Sequence, residues 1–174
     1  QALFFDGVDD YLNVGDVATM DNTQQLTIGA WVRVNQLSDW NTVLTKSAEF
    51  SNRITISTSD TSYGGEDEVF LTIANGSRTY GYTTDNIIDI GQWRHWLVVF
   101  DGSQSTNADK LKFFFDSEQQ NLTFSGTIPD FTDDNSASVQ IGKEGSYANT
   151  FFEGAIDEIL IFEKALSSEQ VQAL

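Results

Sequence analysis

The sequence predicts an all-β fold, a two-sheet antiparallel jelly-roll β sandwich that ends in a short C-terminal helical turn. Short apolar segments recur between turns rich in Gly, Asn, Asp and Ser, and no helical pattern precedes the last residues. Aromatic residues make up 13% of the chain, with 13 glycines and one proline, a composition that suits a twisted β core. About a dozen strands at this spacing are typical of a sandwich, and the length predicts a single domain, residues 1–174.

Twelve predicted strands follow in chain order. The segment 25–34 alternates cleanly, so that one face is core and the other carries Trp31. Segments 93–100 and 111–115 are apolar on both faces and are therefore predicted to be central, with Trp93 and Trp96 in the core. Asn75-Gly76 predicts a tight type I′ hairpin turn. The complete set of predicted strands is 2–5, 11–14, 25–34, 40–45, 53–58, 69–74, 78–82, 93–100, 111–115, 121–124, 138–142 and 154–162.

The last predicted strand and the residues after it form the most informative segment of the sequence. Ile156, Leu160 and Phe162 are expected on one face of this strand, and Asp157, Ile159 and Ile161 on the other. Ser167 and Gln170 form a capping-box pattern, with Glu169 in the first turn, and they predict the start of a short helix.

Charge and composition exclude several classes of partner. A net charge of -17 argues against nucleic acid and against an anionic bilayer. The chain has no cysteine, which excludes disulfides and thiolate zinc sites. It has no apolar run of about 18 residues or more, so membrane insertion is not expected. A start at Gln1 rather than Met fits a part excised from a longer secreted multidomain chain.

Several motifs, in order along the whole chain, carry a family resemblance. They are Phe5-Asp6-Gly7 with Asp10-Tyr11-Leu12, then Thr27 to Val32, Trp93 to Gly102, Phe152 to Phe162 and Ala165 to Val171. Together they resemble the laminin G-like, concanavalin A-like jelly-roll family. The resemblance implies the fold, and it leaves function open because the fold serves lectins, adhesion modules and glycosidases alike.

Asp157 is the first candidate metal ligand, because its carboxylate lies in an apolar strand with no Lys or Arg nearby in sequence. Either a cation or hydrogen bonds from backbone or tryptophan N–H groups would satisfy it. The resemblance implies pairing of the first and last strands and a structural calcium held by Asp157, with Asp6 in the adjoining turn. Asp9 and Asp10 are expected to be solvated turn residues.

Three loops, 59–68, 131–136 and 143–150, are predicted to lie along one rim and to form a ligand site. Hard oxygen ligands for a second calcium are offered by Glu66, Asp67, Asp133, Asp134 and Asn135. Contacts to a bound sugar, including flat aromatic surfaces, are offered by Trp40, Tyr63, Glu68, Glu144, Tyr147 and Asn149. The alternative is that these are ordinary solvated acidic loops.

Catalysis is disfavoured. The E-x-D-x-x-E pattern of retaining β-glucanases of this fold class is absent, and Glu66 and Glu68 stand only two apart. His95 is the only histidine, and its apolar strand predicts a buried structural role.

The sequence therefore predicts a non-catalytic, calcium-dependent carbohydrate-binding module of a larger secreted or cell-surface protein, such as a bacterial adhesin. Its partner would be a polysaccharide or glycan. Two alternatives remain open, a structural or protein-binding laminin G-like module and a glycoside hydrolase of the same fold class.

Overall fold

A computed structural model describes residues 2–37, 40–59, 67–84, 86–133, 135–145 and 150–174. The strands are β1 (Leu3–Asp6), β2 (Leu12–Gly15), β3 (Gln25–Val34), β4 (Thr42–Glu49), β5 (Asn52–Ser59), β6 (Glu68–Asn75), β7 (Tyr80–Thr83), β8 (Trp93–Asp101), β9 (Leu111–Phe115), β10 (Glu118–Gln120), β11 (Leu122–Ser125), β12 (Val139–Ile141) and β13 (Glu153–Phe162). Two one-turn helices, α1 (Asn107–Lys110) and α2 (Ser168–Val171), and a 3₁₀ turn at Ala18–Met20 complete the described elements.

The strands form two antiparallel sheets packed face to face. The six-stranded sheet has the order β1-β13-β3-β8-β9-β10, and the seven-stranded sheet has the order β11-β7-β6-β5-β4-β12-β2. Their inner faces enclose the main core, in which Leu26 and Val98 of one sheet and Ile56 and Leu71 of the other are buried. The predicted all-β sandwich is confirmed.

Strand β13 contains a β-bulge that changes its facing pattern. The pairing with β3 runs from Gly154 to Asp157 and resumes at Leu160 after a register shift, and Glu158 has φ 49°. Past the bulge, Ile159 and Ile161 pack against the core, on the same side as Ile156. The prediction that Ile156 shares a face with Leu160 was wrong, because the one extra residue of the bulge reverses the alternation.

The C-terminal helix α2 confirms the predicted capping box. Ser167 Oγ accepts a hydrogen bond from Gln170 N, and the Gln170 side chain accepts one from Ser167 N at 3.0 Å. Leu166 and Val171 then pack against the outer face of the six-stranded sheet, in a second apolar cluster that includes Leu97. The helix covers one part of that face.

Strand β8 departs from its prediction at one residue. Trp96 is 3% exposed and packs in the core, as expected, but Trp93 is 36% exposed. Trp93 pairs with Arg33 of β3 at the end of both strands. Its side chain lies on the face away from the core, because it stands an odd number of residues from Trp96.

The turn after β6 is wider than predicted. Gly76 has a positive φ of 76°, but Asn75 does not, and a type I′ turn requires positive φ at both central residues. Asn75 instead uses its side-chain amide, which donates to the backbone oxygens of Phe131 and Thr132 at 3.3 and 3.2 Å.

The connection from β8 to β9 is ordered by α1. Thr106 Oγ1 caps this helix by accepting from Asp109 N at 3.2 Å. Lys110 is buried, and its ammonium donates to Ile128 O at 2.9 Å and to the Asp130 carboxylate at 2.5 Å. Within the described ranges no helix is long and apolar enough to cross a membrane.

Candidate ligand-binding face

The outer face of the seven-stranded sheet carries a row of polar side chains across four neighbouring strands. Gln140 of β12 pairs with Thr45 of β4, Thr45 with Thr55 of β5, and Thr55 with Thr72 of β6. The residues that alternate with them, such as Ile54 and the other core residues of these strands, point inward. Thr45 Oγ1 and Thr55 Oγ1 lie 2.9 Å apart. We call these four residues the hydroxyl row, after its three threonines.

Four aromatic rings lie beside the hydroxyl row, toward the start of β6. Phe70 is fully buried, and its ring centroid lies 4.7 Å from Tyr80 and 6.4 Å from Tyr82 in stacked geometry. Trp40 packs edge-on against Phe70 with the centroids 5.1 Å apart. Trp40, Tyr80 and Tyr82 are half-buried, so part of each surface stays accessible. We call this set the aromatic cluster.

A buried ion pair lies on the same face, toward the other end of β5. Arg53 donates from Nη1 to Glu144 Oε1, and the two side chains are 1% and 4% exposed. The Arg53 guanidinium also lies 4.7 Å from the centre of the Phe50 ring. Burial raises the pKa of the Glu144 carboxyl, and the positive charge of Arg53 opposes that rise. The pair is thus a charged group held away from solvent next to the hydroxyl row.

Three polar atoms of this face are buried without a hydrogen-bond partner in the part of the chain that the structure describes. They are Ser57 Oγ, Thr72 Oγ1 and Gln140 Oε1. Ser57 pairs with Phe70 in the β5–β6 ladder, so it lies next to the aromatic cluster. An unsatisfied buried polar atom costs about 1–3 kcal/mol. Such atoms are candidates for contact with a ligand or an ordered water.

Three of the predicted ligand-contact residues lie on this face, Trp40 and Glu68 toward one end of β5 and Glu144 toward the other. Trp40 belongs to the aromatic cluster and Glu144 to the ion pair. Glu68 is 2% exposed, and it lies on the same face of β6 as Phe70 and Thr72. Asp67 directly precedes β6, half-buried, with φ 63°. The other predicted ligand or calcium residues Tyr63, Glu66, Asp134, Tyr147 and Asn149 lie outside the described residues.

The loop that contains Asp133 and Asn135 lies at the opposite end of β6. Asn75, the last residue of β6, binds the backbone of residues 131 and 132 in this loop. Seven residue steps separate Glu68 from Asn75, about 24 Å in a strand. Asn135 is tied to its own loop, because its amide donates to Asp133 Oδ2 at 2.5 Å and its Oδ1 accepts from Ala137 N. The predicted single rim is therefore wrong for these two residues.

The structure also separates Asp6 from Asp157. Strands β1 and β13 pair, as the resemblance implied, but Asp6 lies opposite Glu153. Asp157 is four residues farther along β13, about 13 Å away along the strand. Its Oδ1 accepts a hydrogen bond from Glu158 N at 2.9 Å. Asp6 and Asp157 cannot share one ion in this register.

Asp6 instead clusters with Asp9 and Asp10. One carboxylate oxygen from each lies within 4.8 Å of the others, and all three residues are exposed. Asp6 Oδ1 accepts from Val8 N at 2.9 Å, and this and further backbone hydrogen bonds lower the pKa of the Asp6 carboxyl. The fit to calcium is partial. Ionised oxygens suit a hard cation, but some of these oxygens already accept backbone hydrogen bonds within the turn. The cluster could hold a metal ion.

The sequence reasoning missed most of this face. Phe70, Tyr80, Tyr82 and the hydroxyl row were not singled out. A signal was present in the segment Arg53 to Ser57, where polar residues alternate with isoleucines. Alternation predicts a strand whose second, polar face points away from the core.

The two packed antiparallel sheets define the class of protein, a jelly-roll β sandwich. A profile of the family described as the concanavalin A-like lectin/glucanases superfamily matches residues 6–172. The chain belongs to this family. No curated protein sequence matches it.

Solved structures share the fold at low sequence identity. Domain 4 of AbnA, a GH43 extracellular arabinanase from Geobacillus stearothermophilus, solved in complex with arabinotriose, aligns with TM-score 0.70 and 24% identity, over 99% of this chain and 75% of that one. A heptameric SAP-like pentraxin from Limulus polyphemus aligns with TM-score 0.72 and 16% identity, over 98% and 79%. The CBM40 of the Ruminococcus gnavus IT-sialidase aligns with TM-score 0.70 and 12% identity, over 99% and 97%.

Proposed function

We propose that the chain is a non-catalytic carbohydrate-binding module that binds a polysaccharide or glycan on the outer face of its seven-stranded sheet. The observation that carries this proposal is the aromatic cluster beside buried hydroxyls that have no hydrogen-bond partner among the described residues. These groups suit a ligand with apolar ring faces and many hydroxyls.

The chemistry of this face matches a sugar ring. The half-buried rings of Tyr80, Tyr82 and Trp40 offer flat surfaces for the apolar C–H face of a pyranose or furanose. The buried hydroxyls of Ser57 and Thr72 can each donate and accept a hydrogen bond, which would connect them to sugar hydroxyls through an ordered water. A site built to hydrogen-bond hydroxyls discriminates strongly, because a ligand that lacks them leaves buried groups unpaired.

The related folds support the same ligand class. The domain 4 structure from the Geobacillus arabinanase contains arabinotriose, and the Ruminococcus CBM40 belongs to a sialidase. Both are parts of enzymes, and the arabinanase is extracellular. These relatives support the proposal that the chain is part of a larger secreted or cell-surface protein, either a glycan-processing enzyme or an adhesin.

Calcium dependence is part of the proposal. The cluster of Asp6, Asp9 and Asp10 would hold a structural ion through its carboxylate oxygens. Asp67, at the entrance to β6, would contribute to an ion near the bound sugar. A bound ion would add affinity for vicinal hydroxyls and would stabilise the native state, by about 3 kcal/mol at a hundredfold excess over its Kd.

The test compares binding of the wild type with that of Tyr80→Ala and Tyr82→Ala on a glycan array. Phe131→Ala serves as the control, because Phe131 is an exposed aromatic residue in another part of the molecule. The tyrosine variants should lose at least about fivefold in affinity, since each removes a ring contact worth more than about 1 kcal/mol, and the control should bind normally. Circular dichroism melting shows that each variant is folded.

Two additions separate the alternatives. The array is repeated with EDTA, and a reducing-sugar assay is run on every glycan that binds. Released sugar would identify a glycosidase instead of a binding module. Absence of glycan binding by a folded wild type would refute the proposed function and favour a protein-binding or structural module.

A further inference from the structure

The outer face of the six-stranded sheet is divided into two parts. Helix α2 covers one part, where Leu166 and Val171 pack on Leu97, Val99 and Phe114. The other part carries exposed aromatic residues instead of a cover. Trp31 is 39% exposed, Trp93 is 36% exposed, and Phe4 on the edge strand β1 is 67% exposed.

An open cleft of about 330 Å³ lies on this second part. Its walls are Trp31, Trp93, Asp157 and Glu158. The sheet register explains the arrangement, because Trp31 pairs with Asp157 of β13 on one side and with His95 of β8 on the other. The bulge in β13 at Glu158, with φ 49°, places a second carboxylate at the cleft. We call this site the tryptophan cleft.

Arg33 lies beside the cleft, against Trp93, which forms one of its walls. Its guanidinium lies between two rings, 5.7 Å from the centre of Phe4 and 5.5 Å from that of Trp93. Arg33 Nε is buried and has no hydrogen-bond partner among the described residues. Stacking fixes the plane of a guanidinium and leaves its N–H groups free to bind a ligand. Arg33 lies on the same face of β3 as Trp31, two residues farther along the strand, while Glu158 is an exposed wall of the cleft.

The charges around the cleft select among ligands. Two carboxylates form its walls, and the whole chain carries a net charge of -17. The two carboxylates and the net negative charge of the chain would both repel an anionic sugar. His95, whose ring centroid lies 5.4 Å from that of Trp31, does not offset this charge, because burial lowers the pKa of its imidazole.

We propose that the tryptophan cleft is a second carbohydrate site, which takes one or two neutral sugar rings of a polysaccharide. Indole faces stack on the sugar rings, while Arg33 donates to and Glu158 accepts from the hydroxyls. The volume lies at the lower end for small-molecule sites. This inference shares the ligand class of the proposed function but lies on the opposite sheet. One module with two such faces would bridge two polysaccharide chains and raise avidity without new contacts.

The test uses affinity electrophoresis of the whole chain in gels that contain arabinan, xylan, mannan or hydroxyethyl cellulose, each of them neutral. Carboxymethyl cellulose is the anionic counterpart of hydroxyethyl cellulose. Variants Trp31→Ala and Trp93→Ala are compared with the Phe131→Ala control, and Trp31→Phe and Trp93→Phe keep a ring in place should the alanine variants fail to fold. Acrylamide quenching of tryptophan fluorescence reports protection of the exposed indoles.

We expect the alanine variants to lose roughly tenfold or more in affinity for a neutral probe, the phenylalanine variants to lose less, and the bound probe to protect the wild type from quenching. Normal binding by folded Trp31→Ala and Trp93→Ala would overturn the inference. Two other results would do the same: equal binding of carboxymethyl cellulose and hydroxyethyl cellulose, and no binding of any probe. Tyr80→Ala separates the two sites. If it binds normally while the tryptophan variants do not, the cleft stands and the proposed site on the seven-stranded sheet fails.

Discussion

Removing Arg53 alone should destabilise the fold far more than removing Arg53 and Glu144 together. The side chains of this pair are 1% and 4% exposed. Arg53→Met leaves the Glu144 carboxylate buried without its cation, and breaking a buried pair from one side costs about 3–5 kcal/mol. In the double variant Arg53→Met, Glu144→Met both charges are gone, so we expect its stability within about 2 kcal/mol of the wild type.

Urea denaturation at neutral pH measures these differences, and thermal melting checks them. At about 2–4 °C per kcal/mol for a chain of this size, Arg53→Met should melt roughly 6–20 °C below the wild type. Arg94→Met is the matched control. Arg94 pairs with Asp89 and Asp116 but is 36% exposed, and exposed pairs contribute about 0–1 kcal/mol.

The pH dependence gives a second measure of the same pair. The pKa of Glu144 is raised in the folded state, so the folded protein holds that proton more tightly than the unfolded chain does. This contribution to stability is fully present below the unfolded pKa of 4.5 and is lost as the pH rises through the folded pKa. Loss of Arg53 should raise the folded pKa further, so the cost of Arg53→Met should shrink at about pH 4. A cost under 1 kcal/mol at neutral pH, or one that does not change with pH, would refute the reasoning.

Four further changes test other parts of the fold. Trp96→Ala should cost about 3–5 kcal/mol by urea denaturation, because it empties a core site; a stable variant that had merely lost glycan binding would contradict this. Ser167→Ala should cost about 1 kcal/mol through loss of the α2 cap, and Ser168→Ala, outside the capping box, is its control. Gly102→Ala should fold poorly, because a Cβ there would lie 1.9 Å from the backbone oxygen of Asp130, and a soluble variant with normal melting would count against the described packing. Burial lowers the pKa of His95 below 6.5, so stability should fall as the pH drops from 6.5 through the folded pKa, and His95→Asn should flatten that slope.

Strand periodicity predicted most of the sandwich, because alternation in a segment such as 25–34 follows directly from the geometry of a half-buried strand. It failed where one residue changes the pattern. The bulge at Glu158 depends on a positive φ that no sequence signal specifies at a glutamate. Trp93 was assigned to the core because β8 is apolar on both faces, and sequence cannot show which part of the outer face α2 covers.

The candidate site was harder to predict because it depends on distances between segments. Trp40 was selected from a predicted strand and Glu68 and Glu144 from acidic loops, and all three lie on one sheet face in the structure. Asp133 was grouped with them on composition alone, although the length of β6 separates its loop from Glu68. Clustering in sequence therefore indicated the chemistry but not its location.

The position of β13 between β1 and β3 also determines the order in which the chain can fold during synthesis. Leu3 pairs with Ile156, and Ile28 pairs with Ile161, so the first strand has no neighbour in its sheet until the last strand has left the ribosome. Until then the edge of β3 that pairs with β13 in the finished fold has no partner strand, and such an edge is prone to pairing with other chains. Because the closing contacts span nearly the whole sequence, refolding should be slow, on the millisecond to second scale of all-β sandwiches.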